Sequence, residues 1–190
     1  IVVAQAKRRV EPGSIPGKWV KVPGFLIDYA VICPDEPQTY KSQYNPGYSG
    51  ETRIETEALA PIAFGPRKVV ARRAAAEFFP GAVCNIGTGI CTGIPAVATE
   101  LGTLDTVTLT TDQGLVGGIP ATDGEDGASL NFEAMLDQPY IFDIYDGGSL
   151  DIAFLSFAEM DEEGNVNVSR FGDKIIGVGG FTNIAQWARK

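Results

Sequence analysis

The sequence predicts an α/β domain built on a mixed sheet, and three observations carry that prediction. Short apolar strands alternate with helical segments early in the chain, strands joined by tight turns follow, and three glycine clusters sit where strands end. Across 190 residues, 44% hydrophobic and 21% charged content is ordinary for a globular protein, so a packed core is expected.

Ile1 to Gln5 and Asp28 to Cys33 (DYAVIC) read as short buried strands, each a compact apolar run bounded by charged or Pro/Gly positions. Between them, EPGSIPGKWVKVPG places Pro12, Pro16 and Pro23 beside glycines, which is loop chemistry. Pro34 to Gly50 lacks apolar periodicity and reads as an extended connector. Pro66 then opens a helix, where its missing N–H is no loss, and Pro80-Gly81 stops it after Phe79. Val70, Ala74 and Phe78 recur at steps of four and form the expected core face, leaving Arg67, Lys68, Arg72 and Arg73 as a solvated face.

Ala82 to Ile86 is a strand that runs into Gly87, Gly89 and Gly93, and a second helix follows from about Ile94 to Leu101. Strand, glycine loop and helix in that order suit a ligand whose phosphates approach a helix N-terminus. The spacing is G-x-G-x-x-x-G rather than G-x-G-x-x-G, and no acidic ribose partner follows, so the dinucleotide reading is weak and a close-approach loop for another ligand or a thioester is better. Val107 to Thr111 is the next strand, ending at Asp112 and then at Gly114, Gly117 and Gly118. The segment after it reads as a loop with one or two helical turns near Asn131 to Leu136. Tyr140 to Tyr145, Leu150 to Met160 and Asn165 to Phe171 read as three strands, turned by Asp146-Gly147-Gly148 and Glu163-Gly164-Asn165. KIIGVGG adds a short strand ending at Gly177, Gly179 and Gly180, and FTNIAQWARK opens a last helix.

Composition narrows the chemistry. A net charge of -9 repels nucleic acid and anionic membranes, and neither partner is expected. No apolar run is long enough to span a bilayer and no signal peptide is evident, which predicts a cytoplasmic protein. Cys33, Cys84 and Cys91 have no metal-ligand spacing and read as buried, inert thiols; no metal is expected. The sequence contains no histidine, so Ser-His and Cys-His pairs are excluded and catalysis falls to carboxylates, hydroxyls, thiols, lysine or backbone. In open α/β sheets ligands bind outside the carboxyl ends of strands, and the three glycine-lined ends could wall one cleft; only one of them carries an acid, Asp112. Its bland alternative is an ordinary Asp turn into Gly114, as that of Gly179-Gly180 is a plain strand-to-helix turn. Asn85, Gln113 and Gln138 are candidates to orient a substrate, and the sequence does not choose among them.

The strings VVARRAAAEFFPGAVCNIGTG, VTLTTDQGLVGGIPA and DQPYIFDIYDGGSLDIAFLSFAEMDEEGNVNVSRFG with GVGGFTNIAQ resemble the family I CoA-transferases of the long single-chain acetate/propionate type. QTYKSQYNPGYSGE resembles the connector between that family's two homologous halves. The resemblance implies a three-layer α/β/α domain. It makes residues 1–45 the end of an N-terminal half, 46–65 the interdomain connector, and 66–190 the first and larger part of the nucleophile-bearing C-terminal half. Members are usually much longer, so a fragment, a processed product or one subunit of a split enzyme is expected, completed by the remaining segments or subunits as a homo- or hetero-oligomer.

The family's activity moves CoA between an acyl-CoA and a short-chain carboxylate, with coenzyme A as substrate and no tightly bound cofactor. A glutamate in an E-x-G motif attacks the thioester, and a covalent glutamyl-CoA thioester carries CoA between the two acids. That triplet falls on Asp112-Gln113-Gly114, so the nucleophile is here an aspartate, one methylene shorter, which implies a reduced rate. A non-catalytic subunit that keeps the fold is the alternative. Gly87, Thr88 and Gly89, the Gly114, Gly117 and Gly118 cluster, and Gly179 and Gly180 match glycine-rich loops that line the family's acyl and CoA site and supply oxyanion donors. Where members continue G-G-x-P-A-G-G, this chain has GGIPATDGEDG, and Asp123, Glu125 and Asp126 are expected to add negative charge beside the site.

Overall fold

The computed structural model describes residues 1–55, 61–122 and 124–190, so Asp123 and connector residues 56–60 lie outside the described residues. The chain divides into two units, Ile1–Tyr44 and Asn45–Lys190.

In the first unit β1 (Val3–Ala6) and β2 (Tyr29–Ile32) pair in parallel, Val3 opposite Tyr29 through Ala6 opposite Ile32. The expected burial of these strands is not found: every residue of β2 is exposed and only Ala4 of β1 is partly covered. Apolar content made them strands, but burial needs a covering layer. Between them the chain forms only short 3-10 turns at Gly17–Trp19 and Gly24–Leu26, too little to cover faces that parallel strands usually bury.

The second unit contains α1 (Pro66–Ala75), β3 (Val83–Ile86), α2 (Ile94–Glu100), β4 (Thr108–Thr110), β5 (Leu115–Val116), β6 (Ile119–Pro120), β7 (Ser129–Leu130), β8 (Ala134–Met135) and α3 (Gln138–Ile144). After them come β9 (Ile152–Phe154), β10 (Glu159–Met160), β11 (Val166–Asn167), β12 (Arg170–Phe171), β13 (Lys174–Ile175) and α4 (Phe181–Trp187). A five-stranded sheet runs β8-β5-β4-β3-β9, parallel at β4-β3-β9 and antiparallel at β8-β5-β4. The expected mixed sheet is therefore present.

Side-chain alternation along β3 sorts the core into two clusters. Cys84 and Ile86, with Leu109 of β4 and Ile152 of β9, pack against Ala71 and Ala75 of α1 and Ile94 and Val97 of α2. On the opposite face, Asn85 stands in register with Thr110 and Ala153 and meets the cluster of Ile141, Tyr145, Leu150 and Ile184 from α3, the turn after it, and α4. Helices on both faces of the sheet make the three-layer α/β/α domain.

Several local expectations change. The buried face of α1 is Ala71 and Ala75; Val70 is exposed, and Ala74 and Phe78 are only partly buried. The helix lies so close to the turn before α2 that a methyl group on Gly93 would stand 3.5 Å from the Ala71 Cβ, an approach that alanine permits and valine does not. Its basic face is not simply solvated either, since Lys68 pairs with Glu100 of α2 at 2.7 Å and Arg67 donates to the Gly89 carbonyl at 3.0 Å. Tyr140 to Tyr145 is helical rather than extended. Pro139 suits a first helical turn, and Ile141 and Tyr145, four apart, are the buried pair, while Asp143 is exposed where a strand would bury it.

Asn131 to Leu136 is not helical: Asn131 has φ 58°, and β7 and β8 flank it. The single strands expected at Leu150 to Met160 and Asn165 to Phe171 are each broken in two, giving β9 and β10, then β11 and β12. The Asn167 side chain imposes the second break, donating to the Arg170 carbonyl at 2.6 Å and accepting from Ser169 N at 3.2 Å. Two antiparallel hairpins, β10-β11 and β12-β13, result.

β8 reaches the sheet because glycine lets it. A Cβ on Gly114 would lie 2.1 Å from the Leu136 carbonyl oxygen, and one on Gly118, where φ is 72°, 2.1 Å from that of Leu130 and 2.6 Å from Phe132 N. These neighbours are backbone and cannot rotate away. Gly118→Ala is therefore expected to destabilise the fold by about 3 kcal/mol or more, read as a lower denaturant midpoint. A midpoint within error of the parent would contradict the close packing.

Candidate active site

The carboxyl ends of three adjacent parallel strands meet on one edge: β3 leads into Gly87, β4 into Thr111 and Asp112, and β9 into Leu155 and Ser156. β3 is the switch point, with β4 on one side and β9 on the other, the position at which open α/β sheets bind ligands. The β3-β4 register ends with Asn85 paired to Thr110, so Gly87 and Asp112 each follow two residues after the last pair.

Asp112 is partly buried on the α3/α4 side of the sheet. Its carboxylate faces the bare backbone of Gly180: a methyl group there would stand 2.8 Å from Oδ2, 3.0 Å from Phe142 Cζ and 3.2 Å from Ile184 Cδ1. Gly180 lies two residues before Thr182, in the turn that enters α4, so it does not end a strand of the main sheet as the sequence suggested. The turn reading of Gly180 is what the structure shows. Gly179 has φ 54° and open space where a side chain would be.

Burial pushes the Asp112 carboxyl above the usual aspartate range, opposed only by its own backbone N–H; among the described residues no cation faces it. The expected negative charge from the DGEDG loop rests on three acids, two of them among the described residues. Glu125 accepts from the Tyr48 hydroxyl, whose own pKa rises through burial and that bond, Asp126 is exposed, and Asp123 is outside the described residues. The loop does come near, since a methyl group on Gly127 would be 3.4 Å from Gln113 Cγ.

The raised value has a consequence for stability. The folded chain holds the Asp112 proton to higher pH than the unfolded chain, so stability falls as pH climbs from the ordinary aspartate value through the raised one, and that loss persists above it. Asp112→Asn is expected to raise the Tm by a few degrees near neutral pH, with the gain closing below the aspartate range. Thermal unfolding at both pH values checks this, and an equal gain at both would contradict it.

The remaining candidates separate. Gly87 donates to the Phe154 carbonyl at 2.8 Å, and the Ser156 hydroxyl donates to the Thr88 carbonyl at 2.7 Å, so the ends of β3 and β9 are tied together. Gly89, with φ 81°, turns that loop toward α2. Gly114 shapes the turn after Asp112. Gly117 and Gly118 lie back along β4, where Gly117 N donates to the Leu109 carbonyl at 2.7 Å; close packing explains them. Gly177 stands in the exposed segment before α4.

Of the three polar candidates, Gln113 and Gln138 are exposed and Asn85 is fully buried. Its Nδ2 donates to the Tyr145 hydroxyl at 3.1 Å, and that hydroxyl lies 2.7 Å from Thr110 Oγ1. Neither Tyr145 nor Thr110 stood out in the sequence, since a tyrosine after an apolar run and a threonine in a strand are ordinary there. Cys84 and Cys91 are buried, and burial followed by the Asp151 charge pushes the Cys84 thiol up to about 12, as burial raises Cys91; Cys33 is only partly buried. Among the described residues no group of acids and thiols could hold a metal ion, and no helix is long and apolar enough to cross a membrane.

No family model matches the chain. Known proteins do. It is 39% identical over 198 aligned positions to caffeate CoA-transferase of Acetobacterium woodii and 41% identical over 191 to acetate CoA-transferase YdiF of Escherichia coli K12. Both alignments take in 100% of this chain but only 38% and 36% of those proteins, so the chain spans little more than a third of their length. The crystal structure of the E. coli O157:H7 acyl-CoA transferase YdiF as a thioester complex with CoA superposes on 99% of the chain and 34% of its own, with a TM-score of 0.84 and 40% identity.

Proposed function

From a chain homologous over its whole length to a segment of the CoA-transferases, we propose an enzyme component that moves CoA between an acyl-CoA and a short-chain carboxylate, with Asp112 as the nucleophile. The observation that carries this reading is the setting of Asp112: a partly desolvated carboxylate at a strand end, with no cation against it among the described residues, facing the bare backbone of Gly180. A carboxylate stripped of solvent and of counter-charge is a stronger nucleophile than one in an ion pair, and glycine backbone can bring N–H donors close to a developing oxyanion.

Asp112 attacks the acyl carbonyl of the acyl-CoA, the C–S bond breaks, and CoA thiolate leaves a mixed anhydride of the acyl group and the aspartate. The thiolate then attacks the aspartyl carbonyl, expelling the first acid as its carboxylate and leaving an aspartyl-CoA thioester. The incoming carboxylate attacks that thioester, releasing CoA thiolate to take the new acyl group and restore Asp112. No proton transfer to a strong base is needed, in keeping with a sequence without histidine. The thioester complex with CoA of the E. coli relative supports the covalent intermediate. Gly87 to Gly89 and Gly179 to Gly180 are the proposed linings of the acyl and CoA site. The remaining CoA-transferase segments or subunits, in an oligomer of the cytoplasm, complete it.

The test is brief incubation of the complete enzyme with acetyl-CoA followed by intact-mass and peptide analysis. A CoA adduct on Asp112 is the expected result. An active enzyme whose adduct maps elsewhere would refute the assignment. A second reading, a non-catalytic component that keeps the fold, is favoured by one feature, the aspartate itself, which reaches one methylene less than the family's glutamate; it predicts no adduct on Asp112 and an adduct on the Asp112→Glu variant.

A further inference from the structure

Proton counting fixes the direction of a buried hydrogen-bond chain beneath Asp112. Thr110 Oγ1 donates its one proton to the Cys84 carbonyl at 2.9 Å. The Tyr145 hydroxyl at 2.7 Å must therefore donate to Thr110 Oγ1, and its oxygen then accepts from Asn85 Nδ2 at 3.1 Å. Tyr145 and Asn85 are fully buried and Thr110 is 2% exposed, so no solvent competes. The phenol thus bridges β3 to β4 two residues before Gly87 and Asp112. The same bond sets the Asn85 carboxamide, leaving Oδ1 as a buried acceptor without a partner among the described residues.

Tyr145 is itself held. It opens a π-helical turn, Tyr145–Ser149, after α3, and its ring meets Phe142 edge-on at 6.0 Å. The Phe142 ring in turn shares with Asp112 Oδ2 the narrow space left by Gly180. Burial raises the Tyr145 phenol, and the Asp112 charge adds to the rise.

We propose that Tyr145 is a positioning residue for Asp112: through Thr110 and Asn85 it locks the ends of β3 and β4 in the register that sets the carboxylate against Gly180. The proposal rests on the CoA-transferase reading for its catalytic consequence, but its geometric content stands apart from it. Thr110→Val keeps shape and removes the hydroxyl; Thr110→Ser restores it; Tyr145→Phe removes the phenol.

In the complete enzyme, Tyr145→Phe and Thr110→Val are expected to slow formation of the Asp112 adduct from acetyl-CoA by about tenfold or more, with KM for acetyl-CoA within about twofold, and Thr110→Ser to recover most of the rate. Crystal structures of the two threonine variants give a readout that needs no activity: the carboxylate is displaced from Gly180 in Thr110→Val and returns in Thr110→Ser. Unchanged rates in Tyr145→Phe, or a serine variant as slow as the valine one, would overturn the proposal. If the parent protein forms no adduct, the CoA-transferase reading fails, and the carboxylate positions alone decide: an undisplaced Asp112 in Thr110→Val overturns the positioning role.

Discussion

Asp112→Asn is expected to remove CoA transfer by on the order of 10⁴-fold or more and to abolish the covalent adduct, because an amide cannot form the mixed anhydride on which every later step of the proposed mechanism depends. The substitution is nearly isosteric and relieves a desolvated charge, so loss of activity comes with a gain in Tm at neutral pH, as active-site carboxylates often trade stability for function. That opposition separates a missing nucleophile from a damaged fold. Asp112→Glu tests reach: if the present carboxylate is placed for attack, the added methylene misplaces it and the rate drops, whereas a gain identifies the aspartate as the limiting feature. Initial rates with acetyl-CoA and a carboxylate acceptor, together with thermal unfolding of each variant, supply both readouts.

Gly180→Ala is the second large expectation, on the order of 100-fold in rate. The new methyl would stand 2.8 Å from Asp112 Oδ2, closer than carbon and oxygen tolerate, with Phe142 and Ile184 closing the other sides at 3.0 and 3.2 Å. The carboxylate is the group free to rotate, so it yields, and a displacement of roughly 1 Å is enough for a loss of that size. Gly180 has no positive φ, so alanine is allowed by its backbone, and the stability change stays within the about 1–3 kcal/mol of ordinary overpacking. Gly179→Ala is the control: φ is 54° there but nothing lies within reach of the methyl, so it strains the turn without touching Asp112. Equal kinetic effects from the two variants would show that the turn, rather than contact with the carboxylate, matters.

By itself the sequence determined which residues could act and the layers that hold them. Absence of histidine, one carboxylate at a glycine-rich strand end, and the strand-helix alternation before it are composition and local pattern, and the mixed sheet followed from that alternation, while helices on both its faces were expected from the family resemblance. Local pattern failed where two periods fit the same residues: QPYIFDIY satisfies a strand or a helix, and only packing of Ile141 and Tyr145 onto the sheet chose the helix. It failed again at β1 and β2, whose apolar residues apart from the partly covered Ala4 are exposed, because burial belongs to the covering layer and not to the strand. The site divides in the same way. Asp112 was legible because a charge among glycines is conspicuous, while Gly180 as its neighbour, Asn85 as the buried polar candidate and Tyr145 as its anchor depend on contacts between residues far apart in the chain, which only the tertiary structure decided.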